Sequence, residues 1–470
     1  MTERGSRPLV AVLGAALVAV AAAVYARAVS HGTSEVDAFQ RAAWVLAAAP
    51  AAFIALSVRP AWIISGGLAL AMFNSHWSDL GIGVALDRVA LATAVVSILI
   101  REYRTRRIAT RPVDWLLMVL GAYAIGSALI AHTWGNSVDR FTLLDRFGLL
   151  PFFLFFVAGY AFREEQDRRI LLGTIVAMGG YLGLTALLET TGPHSLIVPH
   201  YINDPYVGIH YGRARGPFVE AGADGLALFA CGVAASMALI IWRDRRARYL
   251  AGIVVALCAL GVLFTVTRAA WLSAIAGGVV ALVAARETRR YVLPALGAGL
   301  LVTIVALAVV PGLSAHVTNR TNDKQPIYDR KNSDAAALRM IAAKPLLGFG
   351  WGHFTTDSLS YYRQALNYPL SEVRAVHNVF LANAVELGLL GAGLWIVAML
   401  IVFGRAVMRR GPPALRPWQI GLLAVFVSYL VSAQTTPLGY ALPTLLLWTW
   451  AGICWMDIRG LYGPLAADAQ

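Results

Sequence analysis

Long apolar runs alternate with short polar, arginine-containing segments along most of the chain. A helix needs about 17 to 25 mainly apolar residues to cross roughly 30 Å of hydrocarbon. Apolar runs near or approaching this length predict spans near residues 8–26, 42–58, 60–73, 84–100, 112–131, 143–162, 169–189, 223–242, 249–266, 270–286, 291–311, 378–404, 418–433 and 438–456. The pattern predicts an all-α polytopic integral membrane protein with about 12 to 14 transmembrane helices, the short third span being the least regular.

Two long polar segments interrupt this array and predict three parts. Residues 1–311 carry the first group of helices, with a polar loop at 190–222. Residues 312–376 are too long for a connector and show helical patterns at 333–343 and 355–366, and residues 377–470 carry the C-terminal helices. Because loops beyond about 15 residues usually carry function or are disordered, the helical patterning favours a large helical extracytoplasmic loop that acts as a lid or forms a site.

The composition supports this class and adds an orientation. Hydrophobic residues make up 58% of the 470 positions and charged residues 14%, which excludes a soluble globular domain. The net charge of +13 is concentrated in arginine runs at 101–107, 243–248, 286–290 and 405–410, which share one side if the spans alternate. The positive-inside rule assigns that side, and both termini, to the cytoplasm. The positive charge is therefore a topology signal or a contact with membrane lipids, and it requires no nucleic acid partner.

Cysteine and histidine positions limit the chemistry. The three cysteines lie in apolar runs without a CxxC pair or a Cys/His cluster, so the sequence indicates no disulfide framework, metal site or cofactor. With the predicted topology, all nine histidines fall in outward loops or at outer helix ends. We therefore expect the active site on the outer face of the cytoplasmic (inner) membrane.

The main candidate is the run His377-Asn378, nine residues, then Gly388-Leu389-Leu390-Gly391, where the polar segment re-enters the membrane. It places an imidazole at the head of a helix, and titratable groups at membrane depth are costly enough to indicate function. The alternative is an inert capping histidine packed on Asn378 or Trp351.

Residues around this run have simpler expected roles. His353 is a weaker candidate for which a structural role is favoured. Glu386 is expected to contact a neighbouring helix. Gly388, Gly391 and Gly393 are expected to allow close helix packing, as small residues do in membranes.

Three arginines form the second candidate group. Arg268 opens the tenth span, and Arg213 and Arg215 lie just before the eighth. The planar guanidinium suits phosphate oxygens, so the three together predict a pocket for a lipid-linked phosphate or diphosphate. Alternatively, Arg268 extends to the membrane interface, and the other two pair with nearby carboxylates of Glu220 or Asp224.

A further arginine lies in Asp145-Arg146, at the predicted outer end of the sixth span. Arg146 could contact a donor phosphate, or the two side chains could neutralise one another. The sequence favours structural pairing.

These motifs resemble the O-antigen ligase and O-antigen polymerase superfamily, which includes bacterial protein O-oligosaccharyltransferases. The His377-Asn378-x9-Gly388-x2-Gly391 run is similar to the ligase-type signature, and Arg268-x3-Leu272 is similar to a second signature. The segment 344–354, KPLLGFGWGHF, resembles the part of the large outer loop that precedes the histidine motif. The resemblance covers about residues 205–400, and elsewhere only the hydropathy agrees.

The resemblance implies a GT-C-type fold and a metal-independent, inverting glycosyltransferase. The implied donor is a polyprenyl diphosphate-linked glycan, and the implied acceptor is a hydroxyl on a glycan, glycolipid or protein. His377 would act as the general base, Arg215, Arg268 and Arg213 would bind the diphosphate, and His353, Asn378 and Arg339 are secondary candidates. A neutral imidazole with an ordinary pKa of about 6.5 can take the proton of an attacking hydroxyl.

Two other interpretations remain open. A polymerase of the same superfamily would join repeat units instead of transferring one glycan to a distinct acceptor. A lipid-linked glycan transporter would also be polytopic and basic, but transporters tend to show repeated halves and ionisable residues at mid-membrane. Here the sequence shows no convincing repeat, and its polar residues gather at the outer ends of the spans.

Overall fold

The computed structural model describes residues 25–27, 54–55, 57–104, 110–285, 288–310, 312–363, 368–370, 376–408, 412–438 and 440–455, and these contain no β-strand. The α-helices are α1 (Pro60–Leu70), α2 (Leu86–Arg104), α3 (Pro112–Ile130), α4 (Ser137–Phe141), α5 (Leu149–Ala161), α6 (Glu165–Thr191), α7 (Ala221–Ile241), α8 (Arg245–Phe264), α9 (Arg268–Ala284), α10 (Val292–Val309), α11 (Leu313–Asn322), α12 (Gln325–Ala343), α13 (Phe354–Asp357), α14 (Val379–Met408), α15 (Arg416–Ala433) and α16 (Ala441–Cys454). A π-helical turn, Thr142–Phe147, follows α4. Short 3-10 helices occur at Ala71–Phe73, His194–Leu196, His200–Asn203, Gly216–Phe218, Arg289–Tyr291, Ser358–Tyr361 and Pro413–Leu415.

The chain divides into two compact units. The first comprises Met1–Ile108 with Glu164–Thr174, and the second comprises Ala109–Arg163 with Ile175–Gln470. In the described part of the first unit, α1 packs on α2. The buried Asp87 carboxylate accepts hydrogen bonds from Asn74 Nδ2 at 2.6 Å and Trp77 Nε1 at 2.7 Å, so the turn between the two helices is fixed by a satisfied polar cluster.

In the second unit, small residues allow the helices to approach closely. A Cβ added at Gly183 would lie 2.7 Å from Leu257 Cβ, between α6 and α8. One added at Gly277 would lie 2.5 Å from Ala424 O, between α9 and α15. Without a hydrophobic driving force between helices in lipid, such backbone approach is a main source of packing energy.

The helices confirm a polytopic membrane protein. Eight described helical segments are long and apolar enough to cross a membrane, namely Pro112–Ile130, Ser137–Ala161, Glu165–Thr191, Ala221–Ile241, Arg245–Phe264, Arg289–Val309, Val379–Met408 and Pro413–Ala433. Shorter apolar helical segments are Pro60–Phe73, Arg268–Ala284 and Ala441–Cys454. Every predicted span from 60–73 onward coincides with a helix, although charges at both ends keep α2 out of these groups. The predicted spans 8–26 and 42–58 lie almost wholly outside the described residues.

The segment between α10 and α14 is helical where it is described. The predicted helix 333–343 lies inside the longer α12, which packs on α14. The predicted helix 355–366 is only partly borne out, because the structure has the short α13 and the 3-10 turn Ser358–Tyr361, and residues 364–367 lie outside the described part.

Candidate functional site

The N-terminal part of α14 ends at a break in the backbone. Gly388 has φ 68° and ψ 177° within an otherwise helical run. The break exposes backbone groups that water cannot satisfy in a membrane. Five of them form hydrogen bonds with neighbouring elements. Val385 O and Glu386 O accept from Phe349 N and Gly350 N, and Leu389 N and Leu390 N donate to Pro345 O and Leu346 O. Leu387 O accepts from Tyr123 Oη.

The segment that fills this break is Pro345–Phe354, called here the glycine-rich loop. Its Gly348, Gly350 and Gly352 all have positive φ values, 72°, 103° and 81°, which other residues adopt at a cost. A Cβ at Gly350 would also lie 2.6 Å from Ala131 Cβ. The conformation of the loop therefore depends on glycine at these positions.

Trp351 joins the glycine-rich loop to α3 and α4. Its backbone N–H donates to Ser127 Oγ at 3.1 Å, its carbonyl accepts from Thr133 Oγ1 at 2.8 Å, and its indole Nε1–H donates to Asp139 O at 2.9 Å. The ring also packs edge-to-face on Phe147, with centroids 5.1 Å apart. Together with the break in α14, these contacts hold the loop from two sides.

The polar and glycine residues of the histidine motif have separate structural roles. Asn378 is the N-cap of α14, because its Oδ1 accepts from Phe380 N at 3.0 Å and Leu381 N at 3.2 Å. Gly388 supplies the break, and Gly391 leaves room for Tyr123, since a Cβ there would lie 2.5 Å from the tyrosine ring. Close packing was expected at all three glycines, but a Cβ at Gly393 would meet no atom of the described residues within 4 Å, so the expectation is wrong for Gly393 within that part of the chain.

A cavity of about 220 Å³ opens beside this junction. Four residues of α14, at spacings of i, i+3, i+4 and i+7, form one wall: Val379, Ala382, Asn383 and Glu386. The remaining lining residues come from α4 and the π-turn, the glycine-rich loop, α13, the approach to α14, the second half of α14, α15 and the turn after α15: Asp139, Thr142, Arg146, Phe147, Trp351, Gly352, Phe354, Thr355, Val376, Trp395, Tyr429, Pro437 and Leu438.

Carboxylates define one side of the cavity. Glu386 Oε1 accepts the backbone N–H of Phe354 at 3.4 Å, and the Gly352 amide also faces this carboxylate. Asp139 lies against the same loop, because a Cβ at Gly352 would be 2.7 Å from its carboxyl carbon. Glu386 was expected to contact a neighbouring helix, and its partners are the first residue of α13, Phe354, and the Gly352 amide of the glycine-rich loop.

His377 is half-buried and lies between Val376 and Val379, both of which line the cavity. It directly precedes the N-cap Asn378, so it stands at the head of α14 as the sequence predicts. His353 lies at the other end of the glycine-rich loop. Its Nε2 is 3.0 Å from Ala131 O and its Nδ1 is 3.3 Å from Asp357 Oδ2, contacts that give it a structural position. Arg339 donates to Tyr361 O at 2.8 Å and ties α12 to the 3-10 turn Ser358–Tyr361.

The Arg215 guanidinium binds backbone carbonyl groups of the protein, where the sequence predicts a phosphate. Arg215 is 1% exposed, and its two terminal nitrogens donate to four backbone carbonyls, Ile202 O, Asp204 O and Val207 O at 2.6–2.7 Å and Ile209 O at 3.5 Å. Burial lowers the pKa of Arg215, and Glu189, Tyr211 and Asp204 oppose that shift. These contacts argue against the predicted phosphate role in this arrangement, since the guanidinium is already used to fold the 202–209 loop.

Arg213 and Arg268 lie on neighbouring segments. The backbone N–H of Ala214 donates a hydrogen bond to Phe264 O at 3.1 Å. This bond joins the residue after Arg213 to the last residue of α8. Arg268 is the first residue of α9 and is half-buried. In the described part of the chain its guanidinium makes no hydrogen bond or ion pair, so it is the predicted phosphate ligand with free donors.

Tyr440 lies between Phe218, which follows Arg213 and Arg215 in the chain, and the cavity residue Arg146. Its ring packs edge-to-face on Phe218, with centroids 6.0 Å apart, and the Arg146 guanidinium lies 5.9 Å from the ring centroid. Arg146 itself lines the cavity and donates to Thr142 Oγ1 at 3.4 Å. It is therefore the arginine that the structure brings to the cavity.

Sequence reasoning did not select Asn383 or Asp139 as site residues. The signal for Asn383 was present, because Asn383 and Glu386 are the polar members of a helical stripe directly after the histidine motif. Asp139 carries no such signal, since it reaches the cavity through the tertiary contacts of Trp351 and Gly352. No group of three or more His, Cys, Asp or Glu side chains suited to a metal occurs within the described ranges.

The fold and site define a class: a multi-pass helical membrane protein with a cavity where a broken helix meets a long connecting segment. Residues 253–396 match the protein family described as O-antigen ligase. The matched range contains Arg268, the glycine-rich loop and the histidine motif, and it confirms the relationship to the O-antigen ligase superfamily that those motifs predict. No curated protein matches the chain.

Proposed function

We propose that the protein transfers a glycan from a polyprenyl diphosphate-linked donor to a hydroxyl acceptor at the outer face of the cytoplasmic membrane. The observation that carries this proposal is the position of His377. It lies within the range matched by the O-antigen ligase family and between two residues that line the cavity. The acceptor is a glycan, a glycolipid or a protein, and the transfer is inverting and metal-independent.

His377 acts as the general base in this proposal. It takes the proton of the acceptor hydroxyl as the oxygen attacks the anomeric carbon, and the bond from that carbon to the diphosphate breaks. The neutral imidazole is the form that accepts a proton. General-base assistance of this kind contributes about 10² to 10⁴ in rate.

Arginines stabilise the departing diphosphate. Arg268 has free donors, and Arg146 lines the cavity, so these two are the principal phosphate ligands in the proposal. Arg213 lies close to the start of α9 through the Ala214–Phe264 bond and supports them. Arg215 positions the loop that carries Arg213. Charge-assisted contacts of this type are strongest in a site that excludes water.

Transfer in a purified system tests the proposal. Full-length protein is incubated with a polyprenyl diphosphate oligosaccharide and acceptor, with the wild type and His377→Ala in parallel. We expect the variant to lose transfer by at least about 100-fold while it still binds the donor. His200→Ala, at an exposed position in the 190–222 loop, is the matched control and should retain activity.

Product size separates the members of the superfamily. A single addition to a distinct acceptor supports a ligase, and a ladder of repeats identifies a polymerase. Full turnover by His377→Ala would exclude the general-base role. Donor that binds but is never consumed by the wild type would favour a lipid-linked glycan transporter.

A further inference from the structure

The cavity contains a buried donor that the protein leaves unsatisfied. Asn383 is 5% exposed and lines the cavity, and its Nδ2 has no hydrogen-bond partner within the part of the chain that the structure describes. A buried amide without a partner costs about 1–3 kcal/mol. Such groups are rare in native proteins, and one that faces a cavity calls for a ligand that accepts its hydrogen bond.

The other polar groups of the cavity complement this donor. Glu386 is three residues further along α14 and so lies on the same helix face as Asn383, while Asp139 lies against the glycine-rich loop. The oxygen atoms of both carboxyl groups accept hydrogen bonds, so a ligand beside them can use hydrogen-bond donors. A ligand that satisfies the amide and both carboxylates must therefore carry acceptors and donors together, as hydroxyl groups do.

The walls of the cavity favour a ring with apolar faces. Buried aromatic side chains line it on several sides, namely Phe147, Trp351, Phe354, Trp395 and Tyr429. Ligand sites typically combine such walls with a few convergent polar groups. The volume of about 220 Å³ exceeds the roughly 150 Å³ that accommodates a benzene ring, so a six-membered ring with hydroxyl substituents is a suitable size.

The charged side chains of the cavity indicate how a sugar linked to a phosphate would be oriented in it. The carboxylates of Asp139 and Glu386 would repel a diphosphate, whereas Arg146 would attract one. Asp139 lies in α4 and Arg146 lies in the π-helical turn that follows it, so the two charges reach the cavity from successive helical elements. The carboxylate side therefore suits the uncharged ring, and the phosphates belong toward Arg146.

We propose that this cavity binds one sugar ring of the glycan substrate. Asn383 donates a hydrogen bond to an oxygen of the ring or its substituents, and Asp139 and Glu386 accept from its hydroxyls. The subsite rests on the proposed function, because the cavity is lined by Val376 and Val379, which flank His377 in the chain, and a transferred or accepting sugar would lie near that residue. The ring belongs either to the donor or to the acceptor, since a sugar of either glycan offers the same hydroxyl groups and ring oxygen.

The variant Asn383→Leu tests the subsite with two readouts. Removing an unsatisfied amide and filling the space should keep or raise the melting temperature, whereas the KM for one of the two glycans should rise about tenfold. An increase for the donor alone assigns the donor ring, and an increase for the acceptor alone assigns the acceptor ring. Unchanged KM values for both, with a raised melting temperature, would show that the cavity is a structural void and overturn the proposal.

Gln419→Leu is the matched control. Gln419 is a buried amide on α15 whose Nε2 donates to Ala406 O at 3.2 Å, away from the cavity lining. The same amide-to-leucine change there should lower the melting temperature and leave both KM values unaltered. A parallel rise of KM in both variants would instead indicate a general loss of structure and count against a subsite at Asn383.

A binding experiment separates this inference from the transferase proposal. Saturation-transfer NMR with millimolar methyl glycosides and purified full-length protein needs no turnover. A signal in the wild type that is lost in Asn383→Leu supports the subsite even if no transfer is detected. Absence of the signal in the wild type with every glycoside, or an equal signal in the variant, overturns it.

Discussion

At Gly388 a single backbone conformation supports much of the site. Its φ of 68° breaks α14, and the freed carbonyls and amides bind the glycine-rich loop and Tyr123. Each backbone hydrogen bond contributes about 0.5–1.5 kcal/mol net, but leaving its groups unpaired in a membrane costs several kcal/mol. The glycine therefore determines both where the helix breaks and where the loop lies.

Gly388→Ala should be strongly destabilising. Alanine would have to adopt the positive φ of this position, which it avoids, and its Cβ would overlap Leu346 O. We expect a loss of roughly 3 kcal/mol or more, seen as a lower melting temperature and reduced yield of folded protein.

Gly393→Ala is the matched control on the same helix. None of the described residues lies within 4 Å of a Cβ at Gly393, and alanine is the better helix former by about 1 kcal/mol, so this variant should be neutral or slightly more stable. Equal melting temperatures for the two variants would contradict the role assigned to Gly388.

Sequence could identify the motif residues but could assign roles to only some of them. The spacing from Asn378 to Gly391 marks an unusual helix, and the N-cap follows from an asparagine just before an apolar run. The sequence does not reveal the positive φ at Gly388, because a glycine within an apolar helix is equally consistent with close helix packing. The link from Glu386 to the Phe354 amide joins residues 32 positions apart and depends on the loop conformation.

Among the secondary-structure elements, the loop between α6 and α7 shows why residue type and role diverge. Arg213 and Arg215 are two positions apart in one arginine-rich motif. Arg215 turns inward and bonds the 202–209 carbonyls, while Arg213 lies beside the Ala214–Phe264 bond that leads to α9. The sequence predicts the apolar helices on either side, but which arginine folds the loop depends on the path of the backbone.

Arg215→Gln and Arg268→Gln should have opposite effects. The Arg215 variant leaves several carbonyls without their donor, so we expect a loss of about 2–4 kcal/mol and faster proteolysis within residues 192–212. The Arg268 variant should change stability by less than about 0.5 kcal/mol but weaken donor binding about tenfold or more. Melting temperature, limited proteolysis and equilibrium binding of the donor in a His377→Ala background, where turnover is expected to be at least about 100-fold slower, measure these effects.

The reverse pattern would change the assignment of the arginines. An intact loop with weakened donor binding in Arg215→Gln would restore Arg215 as a phosphate ligand. Unaltered donor binding in Arg268→Gln would leave Arg268 as an interfacial arginine without a phosphate role.

Across the whole molecule, helix positions follow from hydropathy, but the shape of the site does not. Membrane thickness sets the length of an apolar run, so every predicted span from 60–73 onward coincides with a helix. Two of those spans are interrupted, one by the π-turn Thr142–Phe147 and one at Gly388, and both interruptions border the cavity. Breaks of this kind depend on partners elsewhere in the chain, which local hydropathy does not report.

The predicted orientation can be tested across a single helix. Tyr206, in the loop before α7, is 94% exposed, and Tyr249, in the first turns of α8, is 73% exposed. The three native cysteines are buried, so cysteine substituted at either tyrosine should react above a low background. If α7 crosses the membrane with the arginine run 243–248 inside, a membrane-impermeant maleimide should label Tyr206→Cys in spheroplasts and Tyr249→Cys only after permeabilisation. Labelling of Tyr249→Cys alone would invert the topology and place the cavity on the cytoplasmic side, where an outward-facing transferase could not use it. Labelling of both would mean that α7 does not cross.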